Sequence, residues 1–228
     1  VRDTAVFLFD VSGVMARPWL EAGYECWTLD IQHPPAYSTG GVTTEIAHGG
    51  KLHKVHHDLT KPWLCPIPRE RFAFACAFPP CDHLAVSGAR WFRGKGLRLL
   101  ARSIELFATA AEFCEWVGAP YFIENPVSNV ASHWRKPDHT FSPHFFTAWN
   151  LDDNYTKKTC LWTGHGFVMP TEHQAEGLGA PDDRIHKAPP GPDRHNFRSQ
   201  TPLGFARAVF SANAPQGVAL PDELRKVA

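Results

Sequence analysis

Residues 97–117, LRLLARSIELFATAAEFCEWV, run for more than five helical turns with no glycine or proline. The helix they predict is flanked by two short apolar runs, RFAFACAFPP (71–80) and APYFIENP (119–126), each of which ends in proline. Strand, long helix, strand is the pattern of a β-α-β unit. Such a unit places its two strands parallel in one sheet. Within the helix, Leu99, Leu100, Ile104, Phe107, Ala111 and Cys114 fall at spacings that predict the apolar face.

The same alternation extends upstream. TAVFLFD (4–10), ECWTLDI (25–31) and LHKVHHDL (52–59) each predict a buried strand that ends at or beside an acid, and VSGVMARPWLEAGY (11–24) predicts a turn and a short helix closed near Gly23. Residues 32–53, rich in Pro, Gly, Thr and His, predict a loop. After Pro126 the pattern loosens: KKTCLWTG and HGFVMP (157–170) predict a hairpin, 187–198 an irregular segment, and TPLGFARAVFSANA (201–214) a last short helix before a charged tail. The expected fold is α/β, a Rossmann-like, mostly parallel sheet with helices on both faces. The 228 residues suit one domain, 1–228, with 127–200 as an irregular insert or lid.

Charge and cysteine content narrow the classes. Basic and acidic residues number 23 each, so the total does not mark a strongly basic nucleic-acid binder, although a local basic face remains open. The six cysteines form no C-x-x-C pair and their spacing suggests no metal site. Residues 1–9 end in FDVSG rather than a cleavage site, and no run approaches a membrane span. The expectation is a reduced, cytoplasmic protein with no membrane partner.

The chemistry is expected at the strand ends. Asp10, Asp30 and Asp58 close three successive strands, and an acid at the end of a second strand commonly binds ribose hydroxyls. Asp10 and Asp58 alternatively serve as helix caps. The turn D-V-S-G-V-M has one glycine and no G-x-G-x-x-G, which disfavours a pyrophosphate. A nucleoside cofactor without phosphate fits better, S-adenosylmethionine being the common one. Cys81, just past Pro79 and Pro80, and Glu124 in I-E-N-P then stand at adjacent strand ends. A thiol beside a carboxyl group is the pairing that attacks an electron-poor ring and manages its proton. The loop after Cys81 carries His83, Arg90, Trp91, Arg93 and Lys95, a composition suited to phosphates and a stacked base, or to an ordinary solvated loop.

Pro-Pro-Cys after the fourth strand and Glu-Asn after the fifth resemble the DNA cytosine-5 methyltransferases. FDVSG (9–13), LDI (29–31), HDL (57–59), FPPCDHLAVSGARWF, YFIENPVSN, KKTCLW and RSQTPLGFARA follow in the same order, and together they are similar to a compact, phage-type branch of that family. The resemblance spans roughly residues 5–210. It implies Cys81 as nucleophile, Glu124 as the group on the cytosine N3/N4 edge, and Asn125 and Pro80 shaping the pocket. It implies S-adenosylmethionine, leaving as S-adenosylhomocysteine, against Phe9, Asp10, Ser12, Gly13, Asp30, Ile31, Asp58, Leu59 and Phe78. It also implies DNA against His83, Ser87, Arg90, Trp91, Lys157, Lys158 and Arg198, with Lys157 or Lys158 in place of the family's arginine. Only about thirty-five residues separate KKTCLW from RSQTP, too few for a separate recognition domain. Low sequence selectivity, a single-stranded substrate or a partner protein that supplies specificity is expected. Two alternatives stand beside methylation of C5. One is a related C5 modification, of a free nucleotide or with a non-methyl group such as a carboxylated one, for which Arg17 or a lysine of 157–158 offers a cation. The other is a non-catalytic nucleic-acid-binding subunit.

Overall fold

A computed structural model describes residues 1–191 and 194–215. The charged tail beyond residue 215 lies outside the described residues. Eight strands form one sheet: β1 (Thr4–Leu8), β2 (Glu25–Asp30), β3 (Val42–Ala47), β4 (Gly50–His56), β5 (Phe72–Ala77), β6 (Tyr121–Pro126), β7 (His139–Phe141) and β8 (Thr159–Gly164). Their order is β3-β4-β2-β1-β5-β6-β8-β7. The central run from β4 to β6 is parallel, while β3, β8 and β7 pair antiparallel at the edges. The result is an α/β fold around a mostly parallel mixed sheet, compatible with a Rossmann-like arrangement.

The helices are α1 (Arg17–Glu21), α2 (Phe92–Lys95), α3 (Leu97–Val117), α4 (Val130–His133), α5 (Arg184–Lys187), α6 (Arg194–Ser199) and α7 (Leu203–Asn213). Period-2 alternation along the strands divides the core in two. Phe7, Cys26, Phe74, Cys76 and Phe122 pack with Trp19 of α1 and Phe205, Val209 and Phe210 of α7. Val6, Leu8, Leu29, Phe72, Ala75, Tyr121 and Ile123 pack on the other face with Phe107, Ala110, Cys114 and Val117 of α3. Among the described residues no helix is long and apolar enough to cross a membrane.

Four expectations are corrected. Residues 32–53 are not all loop: VTTEIA forms β3, an edge strand folded onto β4 through the His48–Gly49 turn, and its exposed polar faces hid the alternation of a buried strand. The buried face of α3 is Ser103, Leu106, Phe107, Ala110, Cys114 and Val117, whereas Leu99 and Ile104 are exposed. Several phases of an apolar-rich helix look alike in sequence, and packing against β5 and β6 selects one. The hairpin partner of β8 is β7, upstream, and 165–170 is not a strand. Arg194–Ser199, which overlaps the end of the segment expected to be irregular (187–198), is helical.

Strand order places the site. The chain leaves β1 toward β2 on one side, and β5 occupies the other, so β1 and β5 flank the topological switch point. In open α/β sheets the crevice outside the carboxyl ends of the strands at such a point is where ligands bind. Both the 9–13 turn and the 79–81 turn open there.

Candidate active site

β5 and β6 run side by side with Ala77 opposite Ile123, so the residues that follow, Phe78 and Glu124, emerge together at the carboxyl edge. Proline at 79 and 80 removes two backbone donors and ends the ladder. The buried Asn125 side chain satisfies the Pro79 carbonyl instead, donating to it from Nδ2 at 2.9 Å, and ties the proline turn to β6. Beyond Pro80 the chain turns on the Cys81 carbonyl, which accepts from Leu84 N and Ala85 N at 3.0 and 2.9 Å. Val86 N donates to Val127 O and Asn129 N to Leu84 O, each at 2.9 Å, which pins the cysteine turn to the segment after β6.

Cys81 is half-buried and Glu124 presents a buried Oε1 without a hydrogen-bond partner. Burial pushes the Cys81 thiol up to about 11, with the carboxylates of Glu124 and Asp82 adding to the effect and the Lys157 ammonium opposing it. Burial likewise raises the Glu124 carboxyl, again against Lys157. One cation therefore acts on both groups. Lys157 precedes β8, and its Nζ donates to the Ser199 and Gln200 carbonyls at 3.4 and 3.3 Å, tying that strand to the segment before α7. Lys157 and Glu124 line one small pocket with Phe78, Phe141, Thr201 and Phe205. Its enclosed volume, ≈ 10 Å³, is that of about one water. Lys158 is exposed and acts on Cys160 instead.

Along the edge, β1 ends in a strained turn. Phe9 has φ 57°, a left-handed conformation unusual for an aromatic residue, and Gly13 follows with φ 67°. Asp10 Oδ1 accepts from Ser12 Oγ and Gly13 N, both at 2.8 Å, while Oδ2 is buried and unpartnered. Burial raises the Asp10 carboxyl, the bonds from Ser12 and Gly13 oppose this, and the Asp30 charge adds to it. Asp30 is buried at the end of β2 and its Oδ1 accepts from Gln32 N at 2.7 Å. His33, two residues beyond Ile31, is buried with an unpartnered Nε2. Asn196 of α6 donates to Gln32 Oε1 at 3.3 Å, so α6 bridges from this loop toward Lys157.

The remaining expected residues are less closely gathered. Ile31 is exposed and Leu59 lies in the core. Asp58 Oδ1 accepts from Thr60 N and Thr60 Oγ1 at 3.1 and 2.8 Å, which makes it the cap of its own turn. His83 Nδ1 lies 3.2 Å from Ser103 Oγ, and Lys95 Nζ donates to Asp82 O at 2.6 Å. Ser87 and Arg90 are exposed on the following turn, where the Arg90 guanidinium stands 5.0 Å from the Trp91 ring. Arg198 is half-buried with an unpartnered Nε. Arg17 is engaged with Glu21 at 2.8 Å. Sequence reasoning missed His33, Phe141, Thr201 and Phe205. The last two sit in RSQTPLGFARA, whose contribution to a pocket depends on where α7 packs. Compared with known protein families and with curated proteins, the chain matches none.

Proposed function

We propose that the protein modifies cytosine in DNA at C5, transferring a methyl group from S-adenosylmethionine through a covalent bond between Cys81 and C6. The observation that carries the reading is the shared edge of β5 and β6: a cysteine turn held by Asn125, beside a buried carboxyl group whose Oε1 has no hydrogen-bond partner among the described residues. A buried orphan acceptor at a ligand-binding edge fits a ligand that supplies the hydrogen bond.

Cytosine C5 is a weak nucleophile. Bond formation from Cys81 Sγ to C6 pushes electron density to C5 and N3. The resting thiol passes its proton to solvent water as it attacks, and Lys157 stabilises the thiolate that forms. Glu124, whose carboxyl burial pushes toward its protonated form, donates toward N3 and accepts from the exocyclic amine at the same edge. When bound, S-adenosylmethionine supplies the electrophilic methyl group. Loss of the C5 proton to a base and expulsion of the Cys81 thiolate then restore the aromatic ring. The polar atoms left free at the switch point, Asp10 Oδ2 and His33 Nε2 beside Asp30, fit the hydroxyls and ring nitrogens of a nucleoside, and no glycine-rich phosphate cradle accompanies them. Phe9, on the strained turn after β1, is the residue to which the resemblance assigns packing against the cofactor base. A duplex substrate requires the target base to leave the stack. The short 163–197 segment favours a single strand, a site of a few bases, or a partner protein that adds specificity.

Mass spectrometry of nucleosides from DNA incubated with protein and cofactor tests the reading. The expected product is cytosine heavier by one methyl group. An unchanged nucleoside profile on both single-stranded and duplex DNA would reject it, and a different mass increment would reject the methyl assignment.

A further inference from the structure

We infer that the groove between the Asp58–Lys61 turn and the first half of α3 is a phosphate track for the nucleic-acid strand flanking the modified base. The inference rests on the reading above and extends it to a surface outside the catalytic centre. The groove is open, ≈ 660 Å³, and is lined by Thr60, Lys61, Arg98, Ala101, Arg102 and Glu105. Three of its four charged side chains are cations. Arg98 and Arg102 stand one helical turn apart and so rise from the same face of α3. Among the described residues Arg98 and Lys61 make no ion pair, and Arg102 meets Asp58 at 3.9 Å in a long, solvent-screened pair.

The charge is local rather than general. Basic and acidic residues balance at 23 each over the chain, yet residues 83–104 contain Arg90, Arg93, Lys95, Arg98 and Arg102 with no Asp or Glu. Five cations in this stretch, flanked by Asp82 and Glu105 and with Arg102 facing Asp58 only at long range, leave an excess of positive charge that suits an extended polyanion. Continuity with the site favours nucleic acid over an anionic membrane. His83, in the Cys81 loop, meets Ser103, the residue after Arg102. Trp91, 59% exposed beneath the Arg90 guanidinium, lies between the cysteine turn and the groove in sequence and offers a face for base stacking. Cations spaced along a helix beside an exposed aromatic ring match alternating phosphates and bases, whereas a lipid surface rewards a continuous apolar face.

The test is fluorescence anisotropy of a dye-labelled single-stranded 12-mer across a salt series, with the full chain and no cofactor. K61A/R98A/R102A should weaken binding about tenfold or more at low salt, and should make the slope of log K against log salt shallower by about 2, near 0.7 for each lost phosphate contact. Lys61→Ala alone should remove about a third of that slope change. Lys51→Ala, at the opposite end of the sheet, should change neither quantity. Unchanged affinity and slope in the triple variant would overturn the inference. So would loss of binding to phosphatidylserine vesicles with oligonucleotide binding intact. Binding is read without turnover, so the two readings fail separately. A protein that binds through the groove but never modifies cytosine refutes only the catalytic reading, and one that modifies cytosine with groove variants at full affinity refutes only the track.

Discussion

At the amino end of the parallel strands, Arg71 joins Asp3 at 2.8 Å and Glu25 at 2.9 Å, and His53 continues the chain of contacts, with Nε2 2.7 Å from Glu25 Oε1 and Nδ1 2.8 Å from Thr44 Oγ1. At the carboxyl end, Asp10, His33, Glu124, Asn125 and Ser128 each bury a polar atom with no hydrogen-bond partner among the described residues. The two ends belong to the same strands, but the carboxyl-end acids are the more deeply buried and the less well partnered, and their titration is driven in the opposite direction. The Arg71 hydrogen bond holds Asp3 below its ordinary value. Burial pushes Glu25 up, but the bonds from Arg71 and His53 outweigh it and the group ends below its usual range. His53 is lowered because burial outweighs Glu25, so near neutral pH a neutral imidazole donates to the carboxylate and accepts from the Thr44 hydroxyl. Burial raises Asp10 and Glu124, whose opposing partners are too few. A saturated network holds the fold together. A polar group left without a partner costs stability, and a cluster of them at one sheet edge fits the proposed ligand site.

Cys81→Ser should break the carboxyl end most severely. A hydroxyl is scarcely ionised near neutral pH, so turnover should fall by about a thousandfold or more while the melting temperature holds. DNA carrying 5-fluorocytosine should trap the wild-type protein covalently and leave the variant free. An adduct formed by the variant would remove Cys81 from the mechanism.

Glu124→Gln should come next, costing about 10²–10⁴ in rate, because an amide cannot lend a proton to N3. Its stability should move the other way. The raised Glu124 carboxyl contributes fully at low pH and loses that contribution as pH rises from about 4, the unfolded value, toward its folded one. The amide removes this decline, so the variant should melt at or above the wild-type temperature at pH 7. A clear fall in melting temperature would mean that Glu124 is structural.

Asp30→Ala should weaken S-adenosylmethionine by about 1–3 kcal/mol in calorimetry through lost ribose hydrogen bonds. Equal affinity in the two proteins would move the cofactor away from β2.

Glu25→Gln probes the saturated end and should have the smallest effect on function, with turnover unchanged. Chemical denaturation should show a loss of about 1–2 kcal/mol, discounted for the partial exposure of Arg71. Stability from a lowered carboxyl is present above its unfolded value and disappears as pH falls through the folded one. The variant should therefore lose less stability between about pH 5 and 3 than the wild type does. A large loss of activity would mean that the two ends are coupled.

The sequence by itself determined the elements whose signal is local. α3 is legible from end to end, because its twenty-one residues hold no breaker and glycines with positive φ bound it at 96 and 118. β1, β2, β5 and β6 are legible as apolar runs stopped by acids or prolines, and the β-α-β rule brings the strand ends that carry Cys81 and Glu124 to one edge before any coordinate is known. Tertiary structure alone decided what depends on pairing between distant segments. β3 is a strand because β4 lies beside it, and Ser103 rather than Ile104 is buried because β5 and β6 select that phase of the helix. Lys157 acts on Cys81 and Glu124 because β8 inserts antiparallel beside β6, and Phe205 closes the pocket because α7 packs back across the sheet. Periodicity records which residues a segment must hide. It carries no record of which other segment will hide them, and that choice is made only when the whole core closes.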